Sequence, residues 1–168
     1  MSPEPIINRV ANSALINIDL AEHRPPSPVV HLDLAEFLEQ GLILRETDFR
    51  AKLDGLDPTQ YNKAYVRVFC STEAILPAWA YQLVAVKLSR SAKKVMVCNL
   101  ESFNLILWLD HIAELDLSPF QDGLVLLKGC SDQEIPQAAY TFLAQRLTAL
   151  VKKLMFGEAC SFVPLHKN

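Results

Sequence analysis

Two segments of the chain carry the same phrase, and each joins a strand-forming run to a helix-forming run. Residues 70–81 read Cys70-Ser71-Thr72-Glu73-Ala74-Ile75-Leu76-Pro77-Ala78-Trp79-Ala80-Tyr81. Residues 130–140 read Cys130-Ser131-Asp132-Gln133-Glu134-Ile135-Pro136-Gln137-Ala138-Ala139-Tyr140. Both hold Cys-Ser, an acidic loop ending in Ile, then Pro-x-x-Ala-Tyr, with one residue inserted in the first copy. Ala64-Tyr65-Val66-Arg67-Val68-Phe69 precedes one, and Leu124-Val125-Leu126-Leu127 precedes the other. Strands alternating with helices are the pattern of crossover units around a parallel sheet. In such a sheet both thiols stand at the carboxyl edge, where open α/β sheets bind ligands. A third Cys-Ser, Cys160-Ser161, follows the last helical run.

Punctuation along the chain supplies the organisation. Arg24-Pro25-Pro26-Ser27-Pro28 is the one clear linker, because proline fixes φ and withholds a donor. It divides an N-terminal arm and linker, residues 1–28, from an α/β domain, residues 29–168. In the arm a short helical turn is expected near residues 5–11 and a strand near 14–19. After the linker, Val29 to Leu34 alternates as a strand. Asp33 then caps a short helix closed by Gly41, and Thr47 caps a second that ends before Gly55. Further on, strands are expected over 64–69, 94–98 and 123–129. Helices are expected over 77–90, 101–115 and 136–156, with an extension over 161–166. Ser131 and Glu134 have capping-box spacing. Pro136, however, favours a first helical position and costs about 3 kcal/mol inside a helix, so the proline sets the start. Gly157 then reads as the residue that closes the last helix. The expected fold is a three-layer α/β domain, a mainly parallel sheet flanked by helices, preceded by the arm.

Charge and hydropathy remove several functions. A formal net charge of −3 gives no general electrostatic reason for binding nucleic acid or an anionic membrane. The longest apolar stretch, Ala74 to Val86, contains Pro77 and Gln82 and is too short for a bilayer span. The first fifteen residues lack an apolar signal region, so a cytoplasmic location is expected. The five glycines form neither a dinucleotide fingerprint nor a phosphate-binding loop.

In a reducing compartment four cysteines point to buried, reactive or metal-bound thiols rather than to disulfides. With strand 64–69 between strands 94–98 and 123–129, Cys70 and Cys130 would stand on neighbouring strand ends about 5–7 Å apart. Thiolates suit zinc, iron and iron–sulfur clusters. Cys160 is the third candidate ligand, although a helix over 136–156 would carry the chain roughly 30 Å from its start. Asp132 and Glu73 are the nearest oxygen donors. Against metal binding stand the absence of any C-x₂-C pair and the frequency with which free cysteine simply packs. A third reading is a thiol enzyme with Cys130 as nucleophile, for which no histidine is an evident base. Cys98 is expected in the core, as are Tyr81 and Tyr140.

Five stretches, taken in order, resemble a bacterial family described as a domain of unknown function, number 2480. They are Asn8-Arg9-Val10-Ala11-Asn12-Ser13, Gly41-Leu42-Ile43-Leu44 with Asp48-Phe49-Arg50, Pro77-Ala78-Trp79-Ala80-Tyr81, Lys128-Gly129-Cys130 and Gly157-Glu158-Ala159-Cys160-Ser161. The resemblance covers nearly the whole chain. It implies an association with iron–sulfur cluster assembly, and partners among the assembly proteins, but assigns no catalytic residue. The expected function is a non-enzymatic accessory protein binding a metal ion or iron–sulfur cluster through Cys70, Cys130 and Cys160. The alternative is an interaction module, a homodimer whose cysteines only pack.

Overall fold

The computed structural model describes residues 15–129, 134–158 and 160–168. In chain order the elements are β1 (Leu15–Asp19), β2 (Val29–Asp33), α1 (Glu46–Asp54), β3 (Tyr65–Phe69), α2 (Ala78–Leu88), β4 (Lys94–Val97) and α3 (Leu100–Glu114). Then come β5 (Leu124–Lys128), α4 (Gln137–Thr148), β6 (Lys153–Glu158) and β7 (Ser161–Lys167). The helical turn expected near residues 5–11 lies outside the described residues.

The strands form two sheets, not one. β2, β3 and β4 make a parallel sheet with β3 in the middle. The other runs β1-β5-β6-β7, parallel except for the last strand. The chain accordingly divides into two compact units. Unit 1 comprises residues 1–25 and 108–168, and unit 2 residues 26–107. The division between the units falls within the proline segment, between Pro25 and Pro26.

In unit 2 the alternation of β3 decides what each face meets. Val66 and Val68 point to one side, where they are fully buried with Leu32, with Phe49 and Leu53 of α1, and with Ala80, Val84 and Leu88 of α2. Tyr65 points to the other side and packs against Phe103 and Leu107 of α3, with Met96 and Cys98 beside them. Helices therefore cover both faces, as a parallel sheet requires. In unit 1, Ile18, Val125, Leu127 and Leu154 face Ala139, Tyr140, Leu143 and Leu147 of α4. Each fully buried aliphatic side chain here stabilises its unit by about 1.5–3 kcal/mol relative to exposure.

Both long helices after the repeated phrase start where the prolines predict, Pro77 before α2 and Pro136 before α4. Three expectations near helix ends need correction. Thr47 lies inside α1, which begins one residue earlier at Glu46 with no side-chain cap. The last helix stops at Thr148 rather than 156, and Lys153 to Glu158 becomes β6. Strand pairing with β5 buries Leu154 and Met155, which a helix with a polar stripe could not do for both. Gly157 is consequently a strand residue at φ +129°, and an added Cβ would stand 2.6 Å from the Ser161 carbonyl oxygen. Gly157→Ala is therefore expected to lower stability by about 1–3 kcal/mol in urea unfolding, the usual cost of a backbone conformation reserved for glycine.

The repeated phrase is one part of a wider duplication. Residues 59 apart make the same contacts in the two units. Lys63 donates to the Ser91 carbonyl at 2.8 Å, and Asp122 donates to Leu150 at 2.8 Å. Lys93 donates to Ala64, and Lys152 to Gly123. Lys63 and Asp122 share a positive φ, 55° and 56°. The first strands correspond too, since β1 pairs Asp19 with Lys128 and β2 pairs Asp33 with Phe69.

Candidate functional site

Each sheet opens at its carboxyl edge onto an aspartate that closes the first strand. Asp33 ends β2, and its Oδ1 accepts from the backbone N–H of Ala35 at 3.0 Å and of Ser71 at 2.9 Å. The first bond turns the chain into the short 3₁₀ helix Leu34–Phe37, and the second fastens the exit of β3. Asp19 ends β1 in the same way, with Oδ1 accepting from Ala21 at 2.9 Å and Oδ2 lying 3.7 Å from Lys128 Nζ. A short polar side chain at such a position satisfies backbone donors that the turn leaves free.

At the unit 2 edge the half-buried Cys70 stands 3.3 Å, Sγ to Oγ1, from Thr72. Thr72 in turn donates to the carbonyl of Gly41 at 2.6 Å, so the β3 exit is tied to the loop after the 3₁₀ helix. Glu73 is exposed on the same loop. Cys98, at the end of β4, is on the opposite face from Cys70, in the cluster with Tyr65 and Phe103. Burial pushes its thiol pKa up, against the pull of the nearby Arg67 charge. It is expected in the core from its sequence, and it packs half-buried against the core cluster.

At the unit 1 edge β5 ends at Lys128 and Gly129, and β6 ends beside it. An added Cβ on Gly129 would run into the ring of Phe156, which packs edge-on to Tyr140 at 6.0 Å. Cys160 is exposed in the turn between β6 and β7. Arg24 and Glu134 pair at 3.4 Å at the same end. Tyr140 is buried in the core of its unit and Tyr81 packs against the core of the other.

These positions revise the expected cysteine arrangement. β3 does not lie between β4 and β5, so Cys70 and Cys130 do not follow neighbouring strands. Cys130 and Asp132 lie outside the described residues. The phrases are also one residue out of step. With 59 between equivalent residues, Cys70 matches Gly129, because Phe156 fills the space that a side chain would need. The match to Phe156 is Val97, a smaller side chain. The objection to Cys160 falls as well: the twelve-residue α4 leads back through β6, parallel to β5, so the turn bearing Cys160 leaves the carboxyl edge from which β5 exits. Among the described residues no three His, Cys, Asp or Glu side chains group closely enough to hold a metal ion.

One polar group was missed by reading the sequence alone. Arg67, on the central strand of unit 2, donates through Nε to Nδ1 of His31 at 3.1 Å. Its guanidinium carbon lies 3.9 Å from the centroid of the Phe69 ring. His31 meets Phe103 edge-on at 5.6 Å. Burial and the Arg67 charge both push the His31 pKa down, so the ring is neutral at pH 7. The signal was present as an arginine inside the apolar run Tyr65 to Phe69, opposite a histidine in the register of a parallel pair.

A family model described as "Protein of unknown function (DUF2480)" matches residues 4–168. The chain belongs to that family. No curated protein and no solved structure matches the chain. Among the described residues no helix is long and apolar enough to cross a membrane.

The Asp33 carboxyl pKa is lowered: burial raises it, but the bonds from Ser71 and Ala35 and the Arg67 charge outweigh that effect. A lowered carboxyl pKa stabilises the fold above the ordinary value of 3.8, and this stability is lost as pH falls through the lower folded value. Asp33→Asn is expected to cost about 1 kcal/mol at pH 7. The cost should shrink when urea unfolding of wild type and variant is compared below pH 3. An undiminished cost at low pH would show that the carboxylate charge is not the stabilising element.

Proposed function

We propose that the chain is a non-enzymatic accessory protein that binds a soft metal ion or an iron–sulfur cluster through thiolates at the carboxyl edge of unit 1. Cys130 and Cys160 are the ligand pair in this reading, with Asp132 as the nearest oxygen donor. One observation carries it. β5 and β6 are adjacent and parallel, with Leu127 opposite Phe156, and Cys130 follows the exit of one while Cys160 follows the exit of the other. Cysteine pairs on neighbouring chain segments are the usual donor set for zinc and iron–sulfur clusters, because thiolate is a soft ligand. Cys70 and Glu73 stand at the carboxyl edge of the other sheet, outside this pair.

Two thiolates leave coordination incomplete, since structural zinc and the common clusters take four protein ligands. A second copy of the chain supplies the missing pair in this reading. Exposed apolar side chains on β7, directly after Cys160, favour such an association: Phe162 is 43% and Val163 63% accessible. The role that follows is in iron–sulfur cluster assembly, with assembly proteins as partners and a homodimer as the binding form.

Untagged protein purified without oxygen should contain zinc, or iron with acid-labile sulfide, at about one site per dimer. Cys130→Ser and Cys160→Ser should each remove the metal, while Cys70→Ser keeps it. Metal-free wild-type protein that stays folded and takes up neither iron nor zinc sinks the proposal. Metal loss on Cys70→Ser as well would return that residue to the ligand set.

A further inference from the structure

Unit 2 holds a second polar site that owes nothing to the cysteines discussed above. Arg67 is half-buried on the middle strand of a parallel sheet, and among the described residues it has no carboxylate within ion-pair distance. Its bond to His31 is exposed, and a guanidinium held in this way with no carboxylate beside it is open to an anionic partner. The duplication shows that the fold does not need it there. The equivalent residue in unit 1 is Leu126, which is fully buried at the centre of its own sheet. The partner across the strand pair has diverged as well, from Asn17 in unit 1 to His31 in unit 2.

The guanidinium is held in place from two sides. The Phe69 ring lies against it at 3.9 Å, and His31 Nδ1 accepts its Nε–H. Because Nδ1 accepts, the proton of the neutral imidazole sits on Nε2, which makes His31 a second donor. Phe103 fixes the His31 ring edge-on. Asp33 is close enough to feel the Arg67 charge but its Oδ1 is occupied by two backbone amides. The remaining N–H groups of Arg67 form the planar fork that matches a carboxylate or a phosphate. The group stands within two residues of the end of β3, near the carboxyl edge where parallel sheets take ligands.

We propose that Arg67 and His31 form a binding site for a small ligand carrying an oxyanion, a carboxylate or a phosphate, at the carboxyl edge of unit 2. Arg67 supplies the charge and the fork, His31 and Phe69 hold it in orientation, and His31 Nε2 offers a further donor.

The test is titration calorimetry of the full chain with inorganic phosphate and, separately, with succinate, in a sodium chloride background that screens non-specific attraction. Saturable binding of either probe at one site is expected, with a change in the His31 ring resonances at saturation. Phosphate alone marks a phosphate-bearing ligand, succinate alone a carboxylate one. Arg67→Leu, which copies the residue of unit 1, should weaken binding by roughly 30-fold or more, the worth of a charge-assisted hydrogen-bond pair. His31→Asn, which copies the other residue of unit 1, should weaken it several-fold. Retained binding in a folded Arg67→Leu variant overturns the proposal. So does a wild-type protein that binds neither probe, whatever the variants do. Both outcomes are read without any metal present and are independent of the metal reading of unit 1.

Discussion

Parallel pairing across large sequence distances is the constraint on which the rest of the structure depends. β5 has no parallel neighbour close in sequence on one side and takes β1, more than a hundred residues earlier, as its partner. β3 takes β2, across the intervening α1. Parallel strands cannot be joined by a tight turn, so every such pair needs a crossover or a long return. The chain meets that demand by running β1 and β2 early, one for each sheet, and then building two strand–helix–strand units upon them. Asp19 and Asp33 are what make this workable at the edges. Each stops its strand by satisfying a backbone donor and turns the chain away before it can extend past its partner.

Much of this was legible. β-type runs placed β3, β4 and β5 within a residue of where they lie, and the two prolines fixed the starts of α2 and α4. The two-sheet topology was not legible, because strand order within a parallel sheet depends on which apolar faces meet, and neither face is marked on a strand that is buried on both sides. The overlong last helix is a different kind of miss. Local propensity through Leu150 to Phe156 does not distinguish a helix from a buried strand, and β6 is decided by its neighbour. The duplication contained the answer. Lys93-Lys94-Val95-Met96 begins β4, and Lys152-Lys153-Leu154-Met155 stands 59 residues later. Carrying the repeat past Tyr140 therefore predicts a strand. The same holds at the start, where Ile18-Asp19-Leu20-Ala21-Glu22 and Leu32-Asp33-Leu34-Ala35-Glu36 announce the paired first strands.

The cysteines were found by sequence, but their relation to one another was not. Matching Cys-Ser to Cys-Ser is the natural alignment of letters, and packing overrules it by one residue. A phenylalanine at 156 requires glycine beside it, whereas the matching position in unit 2 holds the smaller Val97. A slip of one residue in a strand exit changes the face to which a side chain belongs, so equivalent letters need not be equivalent ligands. Sequence similarity between repeats is evidence of common ancestry, and only the register says whether the chemistry was duplicated with it.

The two copies agree at the amino ends of their sheets and differ toward the carboxyl edges. The backbone bonds at the amino ends of the sheets, the left-handed residues Lys63 and Asp122 and the capping aspartates are held in common. The differences gather toward the carboxyl edges. Unit 1 keeps apolar Leu126 at the sheet centre and places Cys160 in a tight exposed turn. Unit 2 replaces that leucine with Arg67, sets His31 beside it, and replaces the final hairpin with the helix α3. Leu126 is fully buried, whereas Arg67 is half-buried and its bond to His31 is exposed. Divergence toward the carboxyl edges is what the two proposed ligand sites would produce, one built on soft sulfur donors and one on a cationic fork. The exchange of leucine for arginine is the more telling of the two, because in the proposed oxyanion site the ligand would supply the anionic partner of the guanidinium.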